Sequence, residues 1–279
     1  MSQNKFLLNV FNTSSICRVF EENVYNLVSK KIINIPVYLS AGQESIASTI
    51  SEIVKTKKIK PLIFAQHRCH STYISFGGDI KSLVRELLGK RDGCTYGMGG
   101  SASISSKKIN MYGHDGHMGT QAPIGVGACF VSKKPTIIFL GDASAEEDYV
   151  LGALGWASTK KLPILFVVED NNLSILTEKK VRRNWEMHDV ARSFNMEGFN
   201  VSDNPLEILK YKSKFFKKPM LLNVNTNRLF WHAGAGKDSD KVFDRFKNMK
   251  KILGKEAEKV HLRNTRIINN LWKKQLEKQ

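Results

Sequence analysis

Two oxygen-bearing side chains lie 29 positions apart in this chain: Asp142, just past the apolar run Thr136-Ile-Ile-Phe-Leu140, and Asn171, just past a second run beginning at Ile164. A carboxylate and an amide oxygen are hard donors, suited to a small divalent cation such as magnesium that also takes phosphate oxygens from a bound ligand. For the two to meet, the intervening segment has to form a strand, a helix and a second strand. The sequence supplies a strand over 136–140, a helix over 146–161, and a strand over 164–168 that Pro163 opens. A right-handed βαβ crossover brings both strand ends to one edge of a parallel sheet, where such folds bind ligands.

The segment Gly141-Asp-Ala-Ser-Ala-Glu-Glu147, followed by Lys161-Leu-Pro-Ile-Leu-Phe-Val-Val-Glu-Asp-Asn-Asn172, resembles the thiamine diphosphate signature that opens with Gly-Asp-Gly and closes with Asn-Asn. It is most similar to the form carried by alpha subunits of 2-oxo acid dehydrogenases. Further segments extend the resemblance over 36–238, in the order that family uses. Gly42-Gln-Glu44 resembles its helix-opening Gly-Gln-Glu, and His67-Arg68 falls where relatives have an aromatic-Arg pair. Gly93-Cys-Thr-Tyr-Gly-Met-Gly-Gly-Ser101 is similar to its glycine-rich loop, and the stretch from Gly116 to Gly127 to the segment that grips the aminopyrimidine.

The resemblance implies a set of site residues. Magnesium falls to the side chains of Asp142 and Asn171 and the carbonyl of Leu173. The diphosphate falls to Arg68, with His67 beside it, and to the backbone N–H groups of Ala143 and Ser144, where a helix starting near Ser144 adds its positive end. The backbone of Gly116 and Met118 holds the pyrimidine edge, and the Met118 side chain props the cofactor into a bent shape. His232, in Arg228-Leu-Phe-Trp-His-Ala-Gly-Ala-Gly236, is the implied catalytic residue, an imidazole able to move a proton or stabilise an oxyanion.

Three positions depart from the family pattern. Ala143 stands for the third signature Gly, which keeps a backbone N–H provided its φ is negative. Tyr38 stands where relatives acting on pyruvate often carry His, and Ala233 where mitochondrial relatives carry a phosphorylatable Ser. The family's activating glutamate sits on a beta subunit, and no second half of this chain could supply one. The implied protein is therefore the alpha subunit of an α2β2 assembly that decarboxylates a 2-oxo acid and passes the acyl group to an acceptor such as a lipoyl arm on an acyltransferase. The amino-terminal half of a split transketolase-like enzyme is the alternative within thiamine chemistry; the Gln66-His67-Arg68 and 93–101 patterns favour the dehydrogenase branch.

The elements that position these residues alternate as an α/β fold requires. Helices are expected over 14–31, 43–56, 80–90, 120–132, 188–194 and 206–215, with strands over 61–65, 199–201 and 220–224 besides the βαβ unit. The result is a parallel sheet flanked by helices on both faces, the thiamine diphosphate-binding fold. At 279 residues and 42% hydrophobic content, a single domain is expected, with a basic helical extension over about 240–279. The net charge of +17 raises nucleic-acid binding as a rival, yet the lysines are scattered, so neither nucleic acid nor membrane is expected as a partner. No apolar run reaches the roughly 20 residues of a membrane helix. His67-x-Cys69-His70 lacks the four ligands of structural zinc, and four scattered cysteines suit a reducing cytoplasm.

Overall fold

The computed structural model describes residues 2–237 and 241–277. Asp238, where the resembling stretch ends, and Asp240, Lys278 and Gln279 of the expected extension lie outside the described residues. In chain order the helices are α1 (Gln3–Ser29), α2 (Glu44–Thr56), α3 (His70–Ser75), α4 (Ile80–Leu87), α5 (Gln121–Ser132), α6 (Asp148–Thr159), α7 (Lys179–Arg182), α8 (Met187–Ser193), α9 (Pro205–Leu209) and α10 (Arg245–Leu276). The strands are β1 (Leu62–Phe64), β2 (Met111–Tyr112), β3 (Thr136–Gly141), β4 (Ile164–Asp170), β5 (Leu173–Ser174), β6 (Thr177–Glu178), β7 (Glu197–Ser202) and β8 (Met220–Asn225). They form two compact units, one of Met1–Glu52, His67–Ser106 and Asn227–Gln279, the other of Ile53–Gln66 and Lys107–Thr226.

The second unit holds a six-stranded parallel sheet in the order β2-β1-β3-β4-β8-β7. Its inner strands β1, β3 and β4 are short runs rich in Ile, Leu, Val and Phe because both faces are covered. Phe64, Ile138, Leu140, Ile164, Phe166 and Val168 pack with α5, α6 and α8 residues such as Val126, Leu154 and Met187. The intervening Ile63, Ile137, Phe139, Leu165 and Val167 are buried as well. This is the expected α/β sheet. Pairing of β3 with β4 runs in register from Thr136 opposite Ile164 to Gly141 opposite Glu169, which sets the strand ends that matter below. Where a helix was expected over 206–215, α9 stops at Leu209 and turns bonded three residues back carry the lysine-rich segment onward.

The first unit is built on α1 and α10. Phe11 stacks on Phe246 with ring centroids 5.0 Å apart, and Phe20 meets Trp272 at 5.4 Å. α1 begins eleven residues earlier than expected, at Gln3, because Ser2 caps it through Lys5 N–H and Phe6, Val10 and Phe11 give its first turns an apolar face. α10 starts at Arg245, capped by Asp244. It buries Phe246, Met249, Ile268 and Trp272, while Phe243, just before it, and Ile252 are exposed.

Where α1 and α2 begin to share a core, charge is buried. Arg18 lies 2.6 Å from Glu44 and 2.9 Å from Asp244, all three almost wholly out of solvent. Burial pushes the Glu44 carboxyl up to about 7, against the pull of Arg18. A raised folded-state value means that stability contributed by protonated Glu44 is fully present below its unfolded value and lost as pH rises through about 7. Replacing the guanidinium strands a charged carboxylate, so Arg18→Met is expected to cost about 3–5 kcal/mol at about pH 8. The deficit shrinks at about pH 5.5, where Glu44 is neutral. Urea unfolding at the two pH values measures it; an equal deficit at both would contradict the assignment.

Candidate active site

In the second unit, the β3–β4 register places Asp142 opposite Asp170, one position before Asn171. Sequence reasoning paired Asp142 with Asn171 and overlooked Asp170, whose own strand end makes it the nearer neighbour. Asp142 is 2% exposed. Burial, and then the charge of Asp170, push its carboxyl up to about 6, with Arg182 and Arg183 opposing the shift. Asp170 is buried too, but hydrogen bonds from Lys179 Nζ at 2.7 Å and Asn223 Nδ2 at 3.0 Å outweigh that burial and hold its carboxyl below the usual range.

Asp142 has a different neighbourhood. Arg182 Nη2 donates to its Oδ2 at 2.5 Å while Nη1 of the same side chain reaches Glu146. Arg183 Nη1 donates to the Asp142 carbonyl at 3.2 Å and lies 3.1 Å from Glu146 Oε1. Its guanidinium also stacks over Trp185, 4.8 Å from the ring centroid. None of these partners was picked out from sequence. The run Lys179-Lys-Val-Arg-Arg183, four cations in five residues a short hairpin beyond the Asn-Asn motif, was the available signal.

The turn after β3 explains the local conformation. Ser144 Oγ accepts from Gly141 N–H at 2.9 Å and donates to the Gly141 carbonyl at 3.0 Å, tightening Ser144–Glu146 into a 3-10 turn. The α-helix expected to start near Ser144 therefore begins at Asp148, with Glu147 at its N-cap position, and its positive end lies four residues further on. Ala143 has φ −73°, the negative value an Ala needs in place of the family Gly. After β4, Asn171 Oδ1 accepts from Leu173 N–H at 3.0 Å, and Asp170 Oδ1 from Asn172 N–H at 3.0 Å. These overlapping turns lead into the β5–β6 hairpin.

Gly116 has φ +108°, and its N–H donates to His114 Nδ1 at 3.0 Å. Met118 is 39% exposed, so it is no buried core contact, and its carbonyl accepts from Tyr149 Oη. A side chain at Gly119 would meet the Ser144 carbonyl at 2.7 Å, so the pyrimidine-type segment and the turn after β3 approach at backbone distance.

The first unit carries the remaining residues. Arg68, 4% exposed, donates from Nη2 to His232 Nδ1 at 2.8 Å and from Nη1 to the His232 carbonyl at 3.1 Å. Tyr38 presents its edge to His67 and His232, with centroids 5.0 and 5.6 Å apart. His70 is structural: it bridges Glu21 at 3.1 Å and Ser101 Oγ at 2.9 Å at the bottom of the core. The glycine-rich loop closes on the protein itself. Glu86, wholly buried, accepts the N–H groups of Thr95, Gly97, Gly99 and Gly100 at 2.8–3.1 Å. A loop of this composition reads in sequence as an anion cradle, and here its anion is a side chain.

The six-stranded parallel sheet and its helices match solved transketolases. One is a transketolase mutant from Pichia stipitis in complex with xylulose 5-phosphate, with TM-score 0.59 and 16% identity, covering 97% of this chain and 46% of that one. Another is the transketolase from Leishmania mexicana, with TM-score 0.57, 13% identity and 46% of that chain covered. These likenesses show the fold alone, the one those transketolases share. The family model described as dehydrogenase E1 component matches residues 12–279. In sequence, the chain is 30% identical over 238 residues to a pyruvate dehydrogenase E1 component subunit alpha of Rickettsia conorii, covering 80% of this chain and 72% of that one. It is 29% identical over 242 residues to the mitochondrial subunit alpha-1 of rice, covering 81% of this chain and 60% of that one. The chain belongs to the dehydrogenase E1 component family, as an alpha subunit of the thiamine diphosphate-dependent 2-oxo acid dehydrogenases.

The residues present fit that family's cofactor and divalent metal. Asp142, Asn171 and the Leu173 carbonyl are all hard oxygen donors, and magnesium typically takes only one or two carboxylates beside phosphate oxygens. Among the described residues no three His, Cys, Asp or Glu side chains gather into a cage of their own. Arg183 Nε and Nη2, the two donors of its side-on fork, are buried with no hydrogen-bond partner, the arrangement an oxyanion would complete.

Holding Asp142 charged has a cost. Its folded-state carboxyl at about 6 against an ordinary 3.8 gives stability that is present below 3.8 and lost as pH rises through about 6. Asp142→Asn is therefore expected to raise stability by about 1–3 kcal/mol at about pH 8, with the gain vanishing near pH 4. Thermal unfolding across that range reads the effect; a variant less stable than the parent at pH 8 would contradict it.

Proposed function

We propose that this chain works with a beta subunit, in an α2β2 assembly, to decarboxylate a 2-oxo acid and pass the acyl group to an acceptor such as the lipoyl arm of an acyltransferase. The observation that carries the reading is the dehydrogenase E1 match over residues 12–279, joined to a buried, cation-hungry Asp142 at the end of β3. The single-domain count, with a basic helical extension from about residue 240, belongs to the same reading. Free thiols at Cys17, Cys69, Cys94 and Cys129 are in keeping with a reducing cytoplasm.

In this reading Asp142, Asn171 and the Leu173 carbonyl hold magnesium. Arg68 and His67, with the N–H groups of Ala143 and Ser144, take the diphosphate, and the backbone of Gly116 and Met118 orients the pyrimidine. Thiamine diphosphate, when bound, supplies the electron sink that decarboxylation needs. The protein's share is orientation, exclusion of water and the handling of charge on the substrate oxygen, for which His232 is the catalytic residue. Tyr38, edge-on to both His67 and His232, stands at the pocket position that separates this chain from relatives acting on pyruvate.

Titration calorimetry with the beta partner present is expected to show thiamine diphosphate binding that requires magnesium, and Asp142→Ala is expected to weaken it by at least about 100-fold. A screen of 2-oxo acids with an artificial electron acceptor is then expected to find turnover. Turnover of ketose phosphates with an aldose acceptor instead, or cofactor binding indifferent to Asp142, would count against the proposal.

A further inference from the structure

We infer that Arg68 fixes His232 as the Nε2–H tautomer, which makes that ring a hydrogen-bond donor at Nε2 and bars it from accepting a proton there. The inference rests on the proposed function for its chemical meaning, and on geometry alone for its truth.

A guanidinium has N–H groups and no lone pair to offer, and it stays protonated in proteins. Arg68 Nη2 lies 2.8 Å from His232 Nδ1, so Nδ1 must be the acceptor. A neutral imidazole carries one ring proton, and with Nδ1 accepting, that proton is on Nε2. An imidazolium, with N–H at both nitrogens, would lose the bond and face a cation.

Four further contacts keep the ring from escaping this assignment. The same guanidinium donates from Nη1 to the His232 carbonyl at 3.1 Å and to the Leu39 carbonyl at 3.4 Å, so one side chain grips residue 232 by both backbone and ring. Tyr38 stands edge-on to the ring at 76°, and the His67 ring lies 5.7 Å away. Rotating the imidazole by half a turn would set a C–H against the Arg68 donor. Since Arg68 is 4% exposed, water is poorly placed to take that donor over.

The consequence narrows the chemistry. At Nε2 the ring can donate to an oxygen that gains negative charge, such as the keto oxygen of a 2-oxo acid during decarboxylation. It cannot take a proton at that atom without first giving up its own, and its other nitrogen is engaged by Arg68. Between proton shuttle and oxyanion donor, the geometry selects the donor. Arg68 acts here as a positioning residue in addition to any contact with phosphate.

The test uses the full chain with ¹⁵N-labelled histidine and long-range ¹H–¹⁵N correlation at about pH 8.5, well above the ordinary histidine value. His232→Gln identifies the resonances of His232 by their loss. The expected pattern is a protonated Nε2 and an unprotonated Nδ1, in at least about tenfold excess over the other tautomer. In Arg68→Met that excess is expected to fall to a mixture, and Arg68→Lys, which keeps a donor, to restore part of it. A protonated Nδ1 in the parent chain overturns the inference outright, even if Arg68→Met fails to fold. An unchanged Nε2–H pattern in a folded Arg68→Met removes Arg68 as its cause. Because the spectra need neither cofactor nor substrate, a failure of the proposed function shows in the calorimetry while leaving this result standing or falling by itself.

Discussion

Two carboxylates, Asp142 and Asp170, stand at the ends of adjacent parallel strands, and the rest of the site is arranged around the repulsion between them. The parallel register makes them neighbours by construction, and covering the sheet on both faces takes them out of water. The surroundings divide the burden unequally. Asp170 is saturated by Lys179, Asn223 and the Asn172 N–H, whereas Asp142 keeps a carboxyl pushed up to about 6 despite Arg182 and Arg183. Pairs of titratable groups driven apart in this way mark out separate roles. Asp170 anchors the Asn-Asn turn, and Asp142 is the less compensated of the two.

Internal charge also shapes the first unit. Glu86 fills the glycine-rich loop that composition alone presents as an anion site, and the Arg18–Glu44–Asp244 group ties α1 to the starts of α2 and α10. Arg68 holds residue 232 through its ring and its carbonyl. Asp244 and Glu86 are each held by several hydrogen bonds, the condition under which such groups define one geometry instead of merely costing stability.

Much of this was legible in the sequence. β3 and β4 appear as apolar runs because they are buried on both sides, β8 as a run that only Asn223 breaks, and α2, α4 and α5 as periodic segments with clear ends. The two-residue β2 and the β5–β6 hairpin escaped because strands that short leave no period to detect. α7 is one turn long, stabilised by ion pairs, and so invisible to apolar patterning. Of the residues proposed for the site, Asp142, Ala143, Arg68 and His232 come from motif resemblance. Asp170, Arg182, Arg183 and Glu86 were missed because most of their partners lie nine or more positions away in sequence and only register or packing brings them close.

The central claim is that Asp142, backed by Asn171 and the Leu173 carbonyl, holds a divalent cation for a diphosphate. Anomalous diffraction from crystals of the chain with its beta partner, grown with thiamine diphosphate and manganese in place of magnesium, tests it most directly. The account predicts one manganese peak about 2.1–2.2 Å from an Asp142 carboxylate oxygen, with Asn171 Oδ1 and the Leu173 carbonyl completing the protein's share of its ligands. A well-ordered cofactor whose manganese lies away from Asp142, with Arg182 still seated on that carboxylate, would contradict it.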